Sequence, residues 1–231
     1  MMKLRQTELS LPAGPVWLRA HLAHAPDVRA LVLIAQTSVG RHRDSREAYV
    51  ADLLQKAGFA TLLLDLLTAH EDERDPDVRF NTPLLATRIE AAFEWVDNQP
   101  PLIGLARALL TSGTGCGAAI RAASRTDEQF NALFCRAGRL DLAGAGPLGN
   151  VTMPVFVAVG TGDPGRSMIR RAYDLIRADK HWQDIGETDE LFSRPGALEA
   201  VTTHAAKWFD KILPAPRTPS PEAPADGAPA A

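Results

Sequence analysis

The stretch from Leu109 to Ala118 constrains the fold of this chain more than any other. Two leucines are followed by Thr111-Ser112-Gly113-Thr114-Gly115, and small residues continue to Ala118. This order predicts a buried strand that ends in a tight turn and leads directly into a helix. Turns of this kind hold their apex residue between small neighbours and present its side chain at the edge of a sheet. The apex residue is Gly113, which has no side chain to present.

Apolar runs and helical spacing alternate along most of the remaining sequence. Residues 7–23 alternate in hydrophobicity and predict an antiparallel hairpin at the edge of a sheet. Buried strands are predicted at Ala30–Ala35 and Ala60–Leu67, and further strands at 106–111, around Leu133 and Phe134, at Val155–Val159 and at 180–185. Helices are predicted at 46–57, from Thr82-Pro83 as N-cap and first helical residue, and at 114–124, 166–178 and 196–212. This alternation predicts an α/β fold with a mostly parallel, twisted sheet that has helices on both faces.

Two segments fall outside this alternation. Residues 70–77 are mostly charged and predict a surface loop. Residues 214–231 contain six prolines among alanine, serine and acidic residues, with no aromatic residue. Such a composition buries too little apolar surface to offset the entropy lost on ordering. We therefore expect one domain over residues 1–213 and a disordered Pro/Ala-rich tail over 214–231.

Composition excludes several classes of partner. The chain has 231 residues, 45% of them hydrophobic, and a net charge of −3, so no general attraction to nucleic acid or to an anionic membrane is expected. The apolar runs are too short to span a bilayer, and the N-terminal residues have no apolar core of a secretory signal. The two cysteines show no metal-ligand spacing, which favours a cytoplasmic setting. No cofactor is predicted.

Several separate blocks resemble the dienelactone-hydrolase-like branch of the α/β-hydrolases. The blocks are Ala30–Ala35 with Arg41–Ser45, Tyr49–Ala51, Ala60–Thr68, Val78–Phe80, Arg139–Gly144, and Leu191-Phe192 with Pro195–Glu199. Together they cover roughly residues 5 to 213. The resemblance implies an α/β-hydrolase fold with a sheet of about eight strands. In active members it also implies a nucleophile, an acid and a histidine in that order along the chain.

The resemblance assigns a position in this chain to each catalytic group. Gly113 stands where the family has its nucleophile, and Asp163 stands at the position of the acid. Glu190, just before Leu191-Phe192, stands where the family has its histidine. The family's Ala-His-Gly after the third strand, which supplies an oxyanion-hole amide, is replaced by Ala35 followed by Gln36, Thr37 and Ser38. Gln36, Thr37 and Ser38 form the predicted pocket together with Ser112 and Thr114, which lie beside the apex.

Two other side chains near the turn are alternative nucleophiles. Ser112 lacks the small residue two positions before it, which is Leu110, and is more simply interpreted as a hydroxyl that lines the turn. Cys116 has Thr114 and Ala118 at the required spacing, but it lies three residues past the apex, inside the predicted helix. It is more simply interpreted as a small packed residue, although a helix N-terminus can activate a cysteine.

Replacements for the missing histidine are also limited. His42, next to the loop after the third strand, is nearest to the predicted pocket, and a loop histidine is usually solvated. Asp163, Asp189 and Glu190 could together hold a hard cation, but adjacent loop acids are usually solvated too, so no metal site is predicted.

The leading hypothesis is therefore a hydrolase homologue that has lost catalysis and binds a small-molecule ligand or a protein partner. The alternative is an active ester or lactone hydrolase that uses Cys116 as its nucleophile.

Overall fold

The computed structural model describes residues 4–37, 45–125 and 130–215. Eight strands form one sheet in the order β1-β2-β4-β3-β5-β6-β7-β8. The strands are β1 (Arg5–Ala13), β2 (Val16–His24), β3 (Leu31–Gln36), β4 (Ala60–Asp65), β5 (Arg107–Gly113), β6 (Ala132–Gly138), β7 (Val155–Gly160) and β8 (Lys180–Ile185). From β4 to β8 every pairing is parallel, while β1 and β2 form an antiparallel hairpin that joins β4 at one edge.

Helices cover both faces of the sheet. They are α1 (Arg46–Lys56), α2 (Ala69–Arg74), α3 (Thr82–Asp97), α4 (Gly115–Ala123), α5 (Ala145–Asn150), α6 (Arg166–Asp174) and α7 (Ala197–Ile212). Since side chains alternate along a strand, each of the strands β3 to β7 contributes to two cores. One core lies against α3, α4 and α6, and the other lies between the sheet and the pair α1 and α7. The predicted α/β architecture and the hairpin are both confirmed.

The strands β3 to β7 are apolar because both of their faces are covered. All six residues of β3, β4 and β7 are buried. No helix in the described part of the chain combines the length and the apolarity needed to cross a bilayer. The carboxyl ends of these parallel strands lie along one edge of the sheet, where open α/β sheets place their sites.

The structure corrects three of the predicted elements. The charged segment 70–77 is not a loop, because α2 occupies Ala69–Arg74 and a 3₁₀ turn occupies Pro76–Phe80. A capping box starts α2: Thr68 accepts a hydrogen bond from the backbone of Glu71, and Glu71 accepts one from the backbone of Thr68.

The helix predicted to start at Thr82 is capped one residue earlier. Asn81 accepts a hydrogen bond from the Leu84 N–H with its side chain, and Pro83 follows Thr82 inside the first turn. The helix predicted at 166–178 ends at Asp174. Nearly all of the tail, from residue 216 onward, lies outside the described residues, so the prediction that it is disordered stays a prediction.

Candidate functional site

The turn between β5 and α4 lies at the carboxyl edge of the sheet, next to its centre. Gly113 ends β5 with a φ of +57° and is exposed, and Gly115 begins α4. A Cβ on Gly113 would have no neighbour within 4 Å, whereas a Cβ on Gly115 would lie 2.2 Å from the Thr111 hydroxyl oxygen. Glycine is therefore required at position 115 because there is no room for a Cβ. At position 113 glycine is favoured only because the backbone is in the left-handed region. The predicted strand-turn-helix is present with Gly113 at its apex.

Cys116 lies beneath this turn in the core. It is fully buried, and its Sγ donates a weak hydrogen bond to the Thr111 carbonyl at 3.5 Å. Burial is the main cause of a raised pKa at Cys135, and a hydrogen bond to Cys116 adds to it. A cysteine nucleophile has to be accessible to its substrate, whereas the Cys116 side chain is fully buried. In this structure Cys116 is a packed residue under α4, and its assignment as an alternative nucleophile stays a prediction.

Glu47, Ser112 and Arg136 form a polar cluster on the α1 side of the turn. Ser112 on β5 is paired in register with Arg136 on β6, and Glu47 lies in the first turn of α1. The Ser112 hydroxyl donates to Glu47 Oε1 at 2.8 Å, and Arg136 Nη2 donates to the same oxygen. Arg136 is 5% exposed and Glu47 is 8% exposed. Arg136 Nη1 is buried without a hydrogen-bond partner among the described residues.

This cluster holds Ser112 as a hydrogen-bond donor. The same Glu47 oxygen accepts from the Ser112 hydroxyl and from the Arg136 guanidinium, so the two donors share one acceptor. Ser112 is thus a hydrogen-bonded residue near the end of β5, beside the turn, and its assignment to the pocket stays a prediction.

Asp163 follows β7 and is nearly buried at this edge. Its Oδ1 accepts a hydrogen bond from the Gly165 N–H at 2.7 Å. Its Oδ2 is buried and has no hydrogen-bond partner in the described part of the chain. Burial is the largest cause of a raised pKa at Asp163, and the charges of Glu190 and Asp189 raise it further. A carboxylate oxygen left in this state is ready to accept a hydrogen bond from a further group.

Glu190 lies in the loop between β8 and α7, next to the loop that carries Asp163. The Gly162 N–H donates to the Thr188 carbonyl at 3.0 Å, which ties the two loops together. Glu190 is exposed, and its charge is one of the causes that raise the pKa of Asp163, so the two carboxylates lie near each other. Within the described ranges no group of three or more histidine, cysteine, aspartate or glutamate side chains could hold a metal ion.

Backbone strain is concentrated at the same edge. Among the described residues other than glycine, only Ala137 and Phe192 have a positive φ, at 42° and 53°. Ala137 follows Arg136 at the end of β6, and Phe192 follows Glu190 by two residues. Strained backbone outside glycine occurs preferentially at binding and catalytic sites.

The remaining predicted pocket residues differ in what they contribute. Gln36 ends β3 and is buried, with its amide donating to Asp65 at the end of β4. Thr37 follows it and is half-buried. The Thr114 hydroxyl oxygen is buried and has no partner among the described residues. Ser38 and His42 lie outside the described residues, so their predicted places are not tested.

Sequence reasoning missed Glu47 and Arg136. Arg136 is the one charged residue in the apolar run from Ala132 to Gly138, and a charge inside a buried strand is a signal of a paired or functional group. The sequence did not identify Glu47 as its partner, because the two residues are 89 positions apart in the chain.

Comparison with solved structures gives the same fold. A dienelactone hydrolase from Anabaena variabilis is 35% identical, with a TM-score of 0.85 over 92% of this chain and 100% of that one. The esterase Est1E from Butyrivibrio proteoclasticus is 13% identical, with a TM-score of 0.73 over 89% of this chain and 98% of its own. A dienelactone-hydrolase-like promiscuous phosphotriesterase from metagenomic libraries is 17% identical, with a TM-score of 0.70 over 91% of this chain and 99% of its own. The last two show the fold alone.

The fold and its carboxyl-edge site define an α/β-hydrolase. Because it is 35% identical to the Anabaena hydrolase over the whole of that structure, the chain belongs to the dienelactone hydrolase family.

A curated protein of Mycobacterium tuberculosis (strain H37Rv) is 36% identical over 211 residues, which are 89% of this chain and 46% of that protein. Its name assigns it provisionally to the phosphoribosyl transferases. The chain thus spans about half the length of the curated relatives that it matches. No family model matches the sequence.

Proposed function

We propose that this chain is a dienelactone hydrolase homologue that has lost covalent catalysis and binds a small-molecule ligand at the carboxyl edge of its sheet. The observation that carries the proposal is Gly113, exposed at the apex of the β5–α4 turn with a φ of +57° and free space around the position of a Cβ. A side chain would fit there, and none is present. Covalent ester cleavage requires an oxygen or sulfur nucleophile at such a position.

The surroundings of Asp163 support the loss of the base as well. In active relatives the acid accepts a hydrogen bond from the catalytic histidine, which it orients. Asp163 keeps one buried oxygen without a partner among the described residues, as expected for an acid whose histidine is missing. The residue that the resemblance puts in the histidine's place, Glu190, is an exposed carboxylate. A carboxylate beside a second carboxylate cannot replace an imidazole that cycles between neutral and cationic forms.

Without a nucleophile and a base, the function that this site can still perform is ligand binding. Buried polar atoms without partners lose the free energy of their hydrogen bonds to water, so they are normally satisfied by something. Arg136 Nη1, Thr114 Oγ1 and Asp163 Oδ2 are three such atoms, and all belong to residues at or just beyond the carboxyl ends of β5, β6 and β7. A ligand that meets them would be held without being cleaved.

Rebuilding the catalytic groups tests this proposal. Gly113→Ser alone should leave p-nitrophenyl ester turnover near background, because an unactivated serine is a poor nucleophile. Gly113→Ser with Glu190→His should raise turnover about 10²-fold above the single variant, since the free Asp163 oxygen can orient an imidazole that acts as a general base. Gly113→Ser with Glu190→Gln is the matched control and should stay at the level of the single variant. Equal turnover in both double variants would argue against the assignment of Glu190 to the histidine position.

The name of the mycobacterial relative supplies a second candidate, a phosphoribosyl compound as the ligand. The free Nη1 of Arg136 favours it, since a guanidinium is a good donor to phosphate oxygens. Calorimetric binding of ribose 5-phosphate that is lost in Arg136→Gln would support this candidate, and no binding would remove it.

A further inference from the structure

A row of aromatic side chains runs from the core to a cleft at the amino ends of β7 and β8, the edge of the sheet opposite to Gly113. Phe134 on β6 is paired in register with Phe156 on β7, and Phe156 is paired with His181 on β8. The Phe134 and Phe156 rings stack with their centroids 4.7 Å apart, and the Phe156 and His181 centroids are 4.6 Å apart. Phe134 and Phe156 are buried, whereas His181 is exposed, so the row ends at the surface.

Helix α7 covers this row and supplies a second aromatic wall. The half-buried Trp208 ring lies 5.4 Å from the Phe156 ring, centroid to centroid, and is inclined to it by 63°. Trp208, Lys211 and Ile212 are three and four positions apart, so they lie on one side of the helix. A cleft of about 300 Å³ is lined by Phe156, His181 and Trp208, with Lys211 and Ile212 at the end of the helix. Small-molecule sites begin at roughly this size, 300 Å³, so a compound of one or two rings suits the cleft.

The charged residues that line the cleft favour an anion. They are Lys180, Lys211 and Asp179, an excess of one positive charge. The Lys180 ammonium is engaged elsewhere, because it donates to three carbonyl oxygens at and just beyond the end of α6, at 2.7 to 3.2 Å. Lys211 is exposed and has neither an ion-pair partner nor a hydrogen-bond partner within the described part of the chain. Its ammonium is therefore the cation that can meet the negative charge of a ligand.

We propose that this cleft binds a planar aromatic anion, a carboxylate carried on one or two fused rings. The ring of the ligand continues the aromatic row between His181 and Trp208, and its carboxylate pairs with the Lys211 ammonium. Aromatic rings favour offset-stacked and edge-to-face contacts with centroids about 4.5–7 Å apart, and both contacts of the Phe156 ring with the walls of the cleft lie in that range. This site lies at the edge of the sheet opposite to the one in the proposed function, and it does not depend on the loss of catalysis.

Titration calorimetry with 2-naphthoate tests the proposal beside two probes of nearly the same shape. Decahydronaphthalene-2-carboxylate keeps the negative charge and lacks the aromatic ring, and 2-naphthylmethylamine keeps the ring and reverses the charge. The wild-type chain should bind 2-naphthoate about fivefold more tightly than either probe, because only 2-naphthoate offers both the stacking and the charge.

Two variants test whether binding takes place in this cleft. Lys211→Gln removes the cation at an exposed position and should lower the affinity for 2-naphthoate about fivefold. His181→Thr removes the exposed ring, keeps a residue that favours a strand, and should lower the affinity by a similar factor. Lys207→Gln is the matched control, because this exposed lysine lies one turn earlier on α7 and does not line the cleft. It should leave the affinity unchanged.

Equal affinity for 2-naphthoate and either probe would overturn the proposal, and so would wild-type affinity in Lys211→Gln or in His181→Thr. A dissociation constant for 2-naphthoate above about 1 mM would overturn it too. Binding that is unchanged in both variants and lost in Arg136→Gln would place the ligand at the carboxyl edge, in which case this inference fails and the proposed function stands.

Discussion

At the scale of single residues, the β5–α4 turn contains two glycines, and the physical reason for glycine differs between the two positions. Gly115 has no room for a Cβ, because the Thr111 hydroxyl, which donates to the Ala35 carbonyl at 2.8 Å, occupies that space. Gly113 has room for a side chain and only a positive φ that other residues adopt at a cost of about 1–3 kcal/mol. The absence of a side chain at Gly113 is therefore a property of the sequence, and the fold does not impose it.

The first prediction concerns the charge of Asp163. Because its pKa is raised in the folded state, the ionised carboxylate destabilises the fold at neutral pH. Asp163→Asn should therefore raise the melting temperature near pH 7. The gain should shrink as the pH falls through the raised pKa of Asp163 and should vanish below about 3.9, the ordinary value for an aspartate. Thermal unfolding of both proteins from pH 3 to pH 8 measures this difference.

A gain in melting temperature that is independent of pH would contradict the account of Asp163, since it would mean that the change acts through packing. Asp97→Asn serves as the control, because that carboxylate is exposed at the opposite edge of the sheet and pairs with Arg107.

At the scale of elements, the site depends on how β5, β6 and α4 meet. Glycine in α4 lets the helix approach its surroundings closely: a Cβ on Gly117 would lie 2.9 Å from the Arg139 carbonyl oxygen. On the strand side, Gly138 lies against Cys116, so the end of β6 packs directly on the first turn of α4. These close contacts fix the position of Gly113 between the Ser112–Arg136 pair and the start of the helix.

The second prediction tests this packing. Gly115→Ala should lower the free energy of unfolding by about 1–3 kcal/mol, because the new methyl group would have to displace the buried Thr111 side chain. Gly146→Ala in α5 is the matched control: its Cβ would meet nothing within 4 Å, so the change should be neutral or stabilising by up to about 1 kcal/mol. Chemical denaturation measures both. Equal effects of the two changes would show that the β5–α4 turn is not closely packed.

Local sequence patterns predicted most of the strands and helices. They did not predict which side chains that are distant in the sequence meet in the fold. The apolar runs identified β3, β4, β5 and β7, since a strand covered on both faces has to be apolar throughout. The turn at Gly113 was predicted because a tight turn between a strand and a helix requires small residues at fixed positions, and these are visible in the local sequence. The α2 helix was missed because its stability comes from the Thr68–Glu71 capping box and from an ion pair between Glu71 and the buried Arg88.

Local sequence does not specify which distant residues meet. Glu47 and Arg136 meet because β6 is the neighbour of β5 in the sheet and the first turn of α1 brings Glu47 within hydrogen-bond distance of Ser112 and Arg136. The free oxygen of Asp163 likewise depends on what the loop after β8 places near it.

At the scale of the whole molecule, the domain closes near Leu213. Arg29, which follows β2, donates to the Leu213 carbonyl and to the Pro214 carbonyl, both at 2.6 Å, and pairs with Asp210 in α7. These bonds tie the end of the last helix to the loop between β2 and β3. The described chain continues to Ala215, two residues beyond the predicted end of the domain.

The third prediction separates the tail from this closure. Removal of residues 216–231 should leave the melting temperature within about 2 °C of the full chain, because their composition provides little apolar surface to bury. Removal of residues 214–231 should lower it by about 2–4 °C more, since Arg29 then loses its Pro214 acceptor, a bond worth about 1 kcal/mol. Calorimetry of the two truncations measures the difference. A large drop in the shorter deletion would mean that the tail packs on the domain.

The most direct test of the central claim is the hydrolysis of p-nitrophenyl acetate and butyrate by the wild-type chain, measured beside Ser112→Ala and Cys116→Ala. Gly113 provides no nucleophile, Ser112 is held by Glu47 and Cys116 is buried, so all three proteins should release p-nitrophenol at the background rate. Wild-type turnover above background that is abolished by Ser112→Ala or by Cys116→Ala would contradict the account, and the variant that abolishes it would identify the nucleophile.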